Sequence, residues 1–262
     1  MKRTFSPLKI IIATSFIILV IGSIFIIPLF FNISIVKIIL FFTGLITIYG
    51  GITLFKTKRL IEDTPTSKIR SLAMGLVEIY GQAIPSQNKT LTSPFTQKEC
   101  VYYQYKIEEY HSSGKSSKWQ TIRQEEQKIL FQLQDDTGTI QINPENAQIE
   151  IPNDFEKTSG IGRDPPQNVQ QFLKRNNLNH ETFFGFNKKM RYTESYIAPK
   201  DKLYIMGTAT LENNKPIIKK ETSNIYYISD KTEKEILKSF LWKIPLCFGV
   251  GIVFILVSIY II

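Results

Sequence analysis

The most suggestive chemistry in the sequence lies in Ile129–Gly138, ILFQLQDDTG. An Asp-Thr-Gly triplet behind an apolar strand is how an aspartic protease presents its carboxylate. Such an enzyme needs two of these aspartates face to face, sharing one proton. The triplet occurs once, at Asp136–Gly138, and Thr139 follows it, so only a dimer could complete the pair. A tight turn accounts for the same residues, because Asp and Gly between two alternating runs are hairpin chemistry. The turn is the expectation.

The other reactive side chains are few. Cys100, Cys247, His111 and His180 are the whole cysteine and histidine inventory. A structural zinc site takes four such ligands. Cys247 lies in an apolar run and no C-x2-C pair occurs, so neither a metal nor a cofactor is expected, although a carboxylate-rich ion site stays open. Cys100 has Lys98 nearby but no adjacent histidine to favour a thiolate, and it is expected to be a small packed residue. His111 is expected at a strand end and His180 in a loop. The Gly114–Ser117 stretch, GKSS, has Glu109 where a phosphate-binding loop needs its first glycine, so it reads as a flexible loop. Ser86–Lys89 and Ser112–Lys115 match Ser-x-x-Lys without the partner motifs of the penicillin-binding enzymes. No catalytic residue is assigned.

The elements that hold these groups divide sharply by hydropathy. No residue is charged from Ile10 to Phe31, from Ile38 to Phe55, or from Ile244 to Ile262. A bilayer core of ~30 Å is crossed by about 20 apolar helical residues. Three spans are therefore expected, at 8–31, 33–55 and 240–262, the first two forming a hairpin over 8–55 with its turn near Pro28 and Asn32. A cleaved signal peptide fits the first run less well, because it is too long and a second span follows at once. Lys2, Arg3 and Lys9 precede the first span, and Lys56, Lys58, Arg59, Lys68 and Arg70 follow the second. Basic flanks stay on the cytoplasmic side. The expectation is a multi-pass protein of the cell membrane with its soluble part, 60–229, in the cytoplasm. A capped helix continuing into the third span occupies 230–262. The net charge of +9 suits anionic headgroups. The expected partners are the lipid bilayer and an unknown cytoplasmic protein, with no nucleic acid.

The soluble part reads as β-rich. In GLVEIYGQAI, Val77, Ile79, Gly81 and Ala83 alternate with Glu78, Tyr80 and Gln82. VYYQYKIEEY (101–110) is rich in aromatic and branched residues, HSSGKSSK reads as a loop, and WQTIRQEEQKILFQL and TIQINP resume the strand texture. IPNDFEKTSGIGRDPP reads as a long irregular connection, and PPQNVQQFLKRNN as the one soluble helix. MRYTESYIAP, KLYIMGTATL, KPIIKKE and IYYIS are four more strand candidates. VEIYGQA (77–83) and LYIMGTA (203–209) share the pattern apolar-x-Ile-x-Gly-x-Ala. Glycine within strands marks barrel corners. Two readings stay open, a duplicated barrel-like fold or two strands that converge on one pattern. Asp230 and Glu233 are expected to cap the helix that leads into the last span.

Four runs carry a likeness to a known family: IEDTPTSKIRSLAMGLVEIYGQAIP, LTSPFTQKECVYYQYKIEEY, FQLQDDTGTIQINPENAQIEI and RYTESYIAPKDKLYIMGTATL. Together they resemble the GIDE domain, also called the beside-a-membrane domain. Its eukaryotic members are organellar RING-type E3 ubiquitin ligases of the MULAN type, and bacteria and archaea carry shorter relatives. The resemblance implies a membrane-anchored α+β fold and an E3 ubiquitin-protein transferase activity that depends on a RING following the last span. No RING is expected within this sequence, because a RING folds only around zinc and the ligands are too few.

The expected function is therefore a membrane-anchored, non-catalytic interaction or sensing module of a prokaryotic cell. The alternative is an E3-ligase-like protein that works with a separately encoded RING or E2 partner. A membrane-assembly or transport subunit is a third reading, without intramembrane acidic residues to favour it. The candidate interaction surface is Glu78, Tyr103, Tyr105, Trp119, Tyr192 and Glu194, with Tyr102 and Tyr196 as further aromatic candidates. The competing reading places alternate aromatic residues in the core.

Overall fold

The computed structural model describes residues 33–113, 116–181, 185, 187–221 and 225–260. The expected span at 8–31 lies outside the described residues. The chain divides into two units: the membrane-type helices up to Leu60 and from Leu237, and the domain Ile61–Ile236.

In the first unit, α1 (Ile33–Asp63) and the last helix, Glu233–Tyr260, are both long and apolar enough to cross a membrane. α1 does not stop at Phe55. It continues through Lys56, Lys58 and Arg59, residues with good helix propensity and no breaker among them. The two helices pack through small residues. A Cβ on Gly44 would sit 2.8 Å from the Gly251 carbonyl oxygen, and one on Gly251 would sit 2.9 Å from the Gly44 carbonyl oxygen. Gly44 and Gly51, and likewise Gly251 and Ser258, are buried at a seven-residue spacing. That spacing keeps one seam of each helix on its partner.

Among its described residues the domain carries thirteen strands. In chain order they are β1 (Gly75–Pro85), β2 (Leu91–Thr92), β3 (Glu99–Cys100), β4 (Tyr102–Ser113), β5 (Ser116–Lys128), β6 (Phe131–Gln134), β7 (Thr139–Ile142), β8 (Gln148–Glu150), β9 (Phe155–Ser159), β10 (Met190–Ile197), β11 (Lys202–Glu212), β12 (Lys215–Lys219) and β13 (Tyr227–Ser229). The soluble helix α2 (Gln167–Arg175) follows β9, and α3 (Glu233–Tyr260) closes the described chain.

β1, β6, β7, β12 and β11 form a closed five-strand barrel, sealed by β1 against β11; β13 and β8 extend from β11. The alternation expected in β1 holds, since Val77, Ile79 and Ala83 point into the barrel core. The two glycine-bearing segments are antiparallel neighbours in this one barrel, with Val77 opposite Gly207 and Gly81 opposite Leu203. They are partners across one ladder. Each glycine permits a close approach. A Cβ at Gly81 would collide with the Gln134 carbonyl, and one at Gly207 would come within 2.7 Å of Ile218 and Tyr226. At the β6–β7 turn, Asp135 accepts bonds from the backbone N–H of Thr137 (2.7 Å) and Gly138 (2.9 Å), and from that of Ile69 (3.0 Å). Asp136 points outward to Lys68. The Asp-Thr-Gly triplet is thus part of a turn, and Asp135 just before it also pins Ile69 to the barrel.

The second sheet has the order β5-β4-β10-β9. One face packs on α2, through Tyr105, Ile107 and Tyr192 against Phe95, Val169 and Leu173. Three local expectations are corrected here. HSSGKSSK is mostly strand, because β4 runs to Ser113 and β5 begins at Ser116. The supposed irregular connection contains β9, recruited by pairing with β10 from Phe155 to Ser159. α3 is capped by Thr232 rather than Asp230: the Thr232 N–H donates to Glu235 at 3.2 Å and the Glu235 N–H to the Thr232 carbonyl at 3.0 Å.

Candidate interaction face

β4 is a period-two strand and its two faces have different fates. Tyr103, Tyr105 and Ile107 point toward α2 and are buried. Gln104, Lys106 and Glu108 point the other way, where they meet Arg191 and Thr193 of β10 and Gln124 of β5. Together these residues line an open polar groove of about 350 Å³.

One carboxylate organises the groove. Glu108 is only 6% exposed. It accepts from Arg191 Nε at 2.7 Å and pairs with Arg191 Nη2 at 2.7 Å and with Lys106 Nζ at 3.1 Å. The Arg191 hydrogen bond holds the Glu108 carboxyl below its usual range; burial opposes this and Lys106 reinforces it. Two cations share one anion, which leaves the trio with one net positive charge. The same guanidinium lies 4.5 Å from the centroid of the Trp119 ring. Trp119 meets Tyr110 edge-on at 5.2 Å, and Lys189 Nζ sits 3.9 Å from the Tyr110 centroid. The face is therefore a polar groove ending in a Trp–Tyr pair flanked by cations.

β5 forms the outer edge of this sheet. A register shift between Ile107 and Glu108 leaves Ile122 without an opposite residue, and Ile122 is 42% exposed. The bulge and the charges Arg123, Glu125, Glu126 and Lys128 blunt the edge against pairing with another strand.

Of the residues selected from sequence, only Trp119 lies on this face. Tyr103, Tyr105 and Tyr192 are buried under α2. The Tyr105 hydroxyl reaches the Glu125 carboxylate at 2.6 Å, and the Tyr192 hydroxyl lies 3.2 Å from that of Ser159. Glu194 is fully buried and accepts from the backbone N–H of Phe95 and Thr96, which holds the Ser93–Lys98 loop. Glu78 is buried in the barrel domain, where it accepts from the hydroxyls of Tyr204 and Thr66. Tyr102 belongs to the barrel core, and Tyr196 packs partly buried beside the second core. Sequence reasoning missed Lys106, Glu108, Tyr110 and Arg191. The signal was the alternation itself: from Gln104 onward the even-numbered residues of YYQYKIEEY take the face opposite the buried Tyr105 and Ile107.

Nothing in this arrangement activates a nucleophile. Cys100 is fully buried, and burial, followed by the nearby Glu194 charge, pushes its thiol up to about 12. A thiol held that far above neutrality is inert. Among the described residues no group of three or more His, Cys, Asp or Glu side chains is placed to hold a metal ion.

A family model described as GIDE: E3 Ubiquitin ligase matches residues 102–262. No curated protein and no solved structure matches. The matched segment begins at β4, whereas the barrel also uses β1, so the structural domain starts earlier than the matched region.

Proposed function

The chain belongs to the GIDE family, described as an E3 ubiquitin ligase family, and we propose that it is a membrane-anchored interaction module that binds a protein partner through the groove face of its second sheet. The observation that carries this reading is the cluster of Arg191, Trp119 and Tyr110 at the end of the groove. Trp, Tyr and Arg are the residue types that dominate binding energy at protein interfaces. The charged groups lining the groove, Lys106 and Arg191 with Glu108 and Glu156, balance one another, so recognition there is by shape and hydrogen bonding.

In this reading α1 and α3 sit in the cell membrane of a prokaryote, in a multi-pass arrangement. The basic residues after α1 keep the domain in the cytoplasm, facing a protein partner and the bilayer rather than nucleic acid. The domain does not transfer ubiquitin itself. Two cysteines and two histidines in 262 residues supply too few ligands for a zinc-built RING within this sequence. Cys100 is buried and Cys247 lies within the apolar helix α3, so neither thiol is suited to accept ubiquitin.

The test uses the full chain in its own membranes, with a photo-crosslinking residue at Gln124 in the groove or at Ile161, which is 83% exposed outside it. A discrete protein adduct is expected from position 124, absent from position 161 and lost in Trp119→Ala. The same adduct from both positions, or no loss in Trp119→Ala, rejects the face. A second reading, an E3-like subunit completed by a RING on another polypeptide, rests on the family description. Neighbouring genes for ubiquitin-like, E1-like or E2-like proteins favour it.

A further inference from the structure

The charges of the groove face balance in number but not in place. Lys189, Arg191, Thr193 and Ser195 follow one another on one period-two face, three of them in β10 and Lys189 just before it. The Tyr110 N–H donates to the Lys189 carbonyl at 2.8 Å, so the pairing with β4 extends to Lys189. On the other side of β10, Glu156 of β9 stands opposite Thr193. Between these ends, Arg191 and Lys106 both pair with Glu108, at 2.7 and 3.1 Å. Glu156 and Lys189 differ from that trio. Both are exposed, and among the described residues neither forms an ion pair. Lys189 instead lies 3.9 Å from the Tyr110 ring centroid, whereas its neighbour Lys188 pairs with Glu109 at 3.4 Å. Lys189 precedes Thr193 by four residues and Glu156 lies one strand away. A rise of about 3.4 Å per residue and a strand spacing of about 4.8 Å put the two unpaired charges about 14 Å apart along the sheet. The face is therefore bipolar, with a carboxylate at the β9 end, an ammonium at the aromatic end and a self-satisfied trio between them.

We propose that the protein partner enters this groove as an extended segment carrying a basic residue, held by Glu156, and an acidic residue about four positions away, held by Lys189. This rests on the reading of the groove as the interaction face and adds the chemistry of what the groove takes. An extended segment turns every second side chain to the same side and rises about 3.4 Å per residue. Residues i and i+4 of the segment then face the sheet together and span about 14 Å, the separation of the two charges. The same two positions on a helix rise only about 6 Å and cannot reach both. Opposite charges at the two ends also fix the direction in which the segment lies. A segment carrying one sign of charge would meet a like charge at one end.

The full chain in its own membranes, with the photo-crosslinking residue at Gln124, tests this. Adduct yield is compared among the wild type, Glu156→Lys, Lys189→Glu and Lys157→Met, the last removing a charge from the opposite face of β9. Glu156 and Lys189 are exposed, so reversing them leaves the fold intact. Each reversal is expected to lower the yield about tenfold, because a like charge then faces the partner. Lys157→Met is expected to leave the yield unchanged. Peptide mapping of the adduct is expected to show a Lys or Arg about four positions from an Asp or Glu, and reversing that basic residue in the partner is expected to restore binding to Glu156→Lys. A Trp119-dependent adduct whose yield is indifferent to both reversals overturns this inference and leaves the interaction face standing. An adduct peptide that lacks the charged pair does the same. The absence of any adduct, or an adduct that Trp119→Ala leaves unchanged, overturns the face and this inference with it.

Discussion

The Arg191 guanidinium lies 4.5 Å from the Trp119 ring while its Nε donates to Glu108 at 2.7 Å. One side chain thus joins the groove floor to the aromatic end, and neither contact works without the other's geometry. Arg191→Ala should leave Glu108 with Lys106 as its cation and cost about 1–3 kcal/mol of stability, the range for losing a charged hydrogen-bond partner. Arg191→Lys should recover only part of this, because an ammonium neither forks onto a carboxylate nor stacks on indole. Chemical denaturation measures both, with Trp emission reporting the local change. Equal stability of the three proteins would show that the pair is ornamental to the fold.

The β6–β7 turn separates two adjacent aspartates by role. Asp135 is opposed by burial but is held down at about 2 by hydrogen bonds from Ile69, Thr137 and Gly138. Its folded pKa is below the unfolded value of about 3.9. Its contribution is therefore fully present above about pH 4 and lost as pH falls toward 2. Asp135→Ala should lower stability by roughly 1–2 kcal/mol at neutral pH, because three partly buried N–H donors lose their acceptor. It should also shift the acid-unfolding curve, since one group has been removed from it. Asp136→Asn, which removes only the exposed contact with Lys68, should leave the melting temperature unchanged. A reversed order of effects would contradict the turn as described.

Gly251 and Gly44 each lie against the other's backbone. Gly251→Leu should therefore force the helices of that unit apart, while Gly249→Leu, where a Cβ meets nothing within 4 Å, should be tolerated. Disulfide or dipolar-distance measurements between labels on α1 and α3 in nanodiscs report the separation. A Gly251→Leu protein with unchanged distances would show that close packing is not needed.

Much of this fold was legible in sequence, and the reasons for the misses are specific. β1, β4, β10 and β11 have the alternation and aromatic content of strands, and their partners confirm the reading. α2 announces itself through Pro166, Val169 and Leu173. β9 does not, because Phe155–Ser159 has no alternating apolar face and becomes a strand only through its ladder with β10. The candidate surface failed for a related reason. Aromatic residues in strands serve core and surface alike, and a period of two cannot say which face is inside until a partner such as α2 covers one. Glu78 and Glu194 show the other limit. Each is a charged residue in a strand that sequence places at the surface, and each is drawn inside to satisfy hydroxyls or loop N–H groups from segments distant in sequence. Long-range partners of that kind leave no local signature.

The proposed module binds a protein partner without itself transferring ubiquitin. The most direct test is single-turnover discharge of a ubiquitin-charged E2 by the full chain in nanodiscs, run with wild type and Cys100→Ala. Both are expected to leave the discharge rate at its unassisted value, because Cys100 is buried with its thiol pushed up to about 12. Acceleration by the wild type that Cys100→Ala abolishes would contradict a non-transferring module and make Cys100 a catalytic residue.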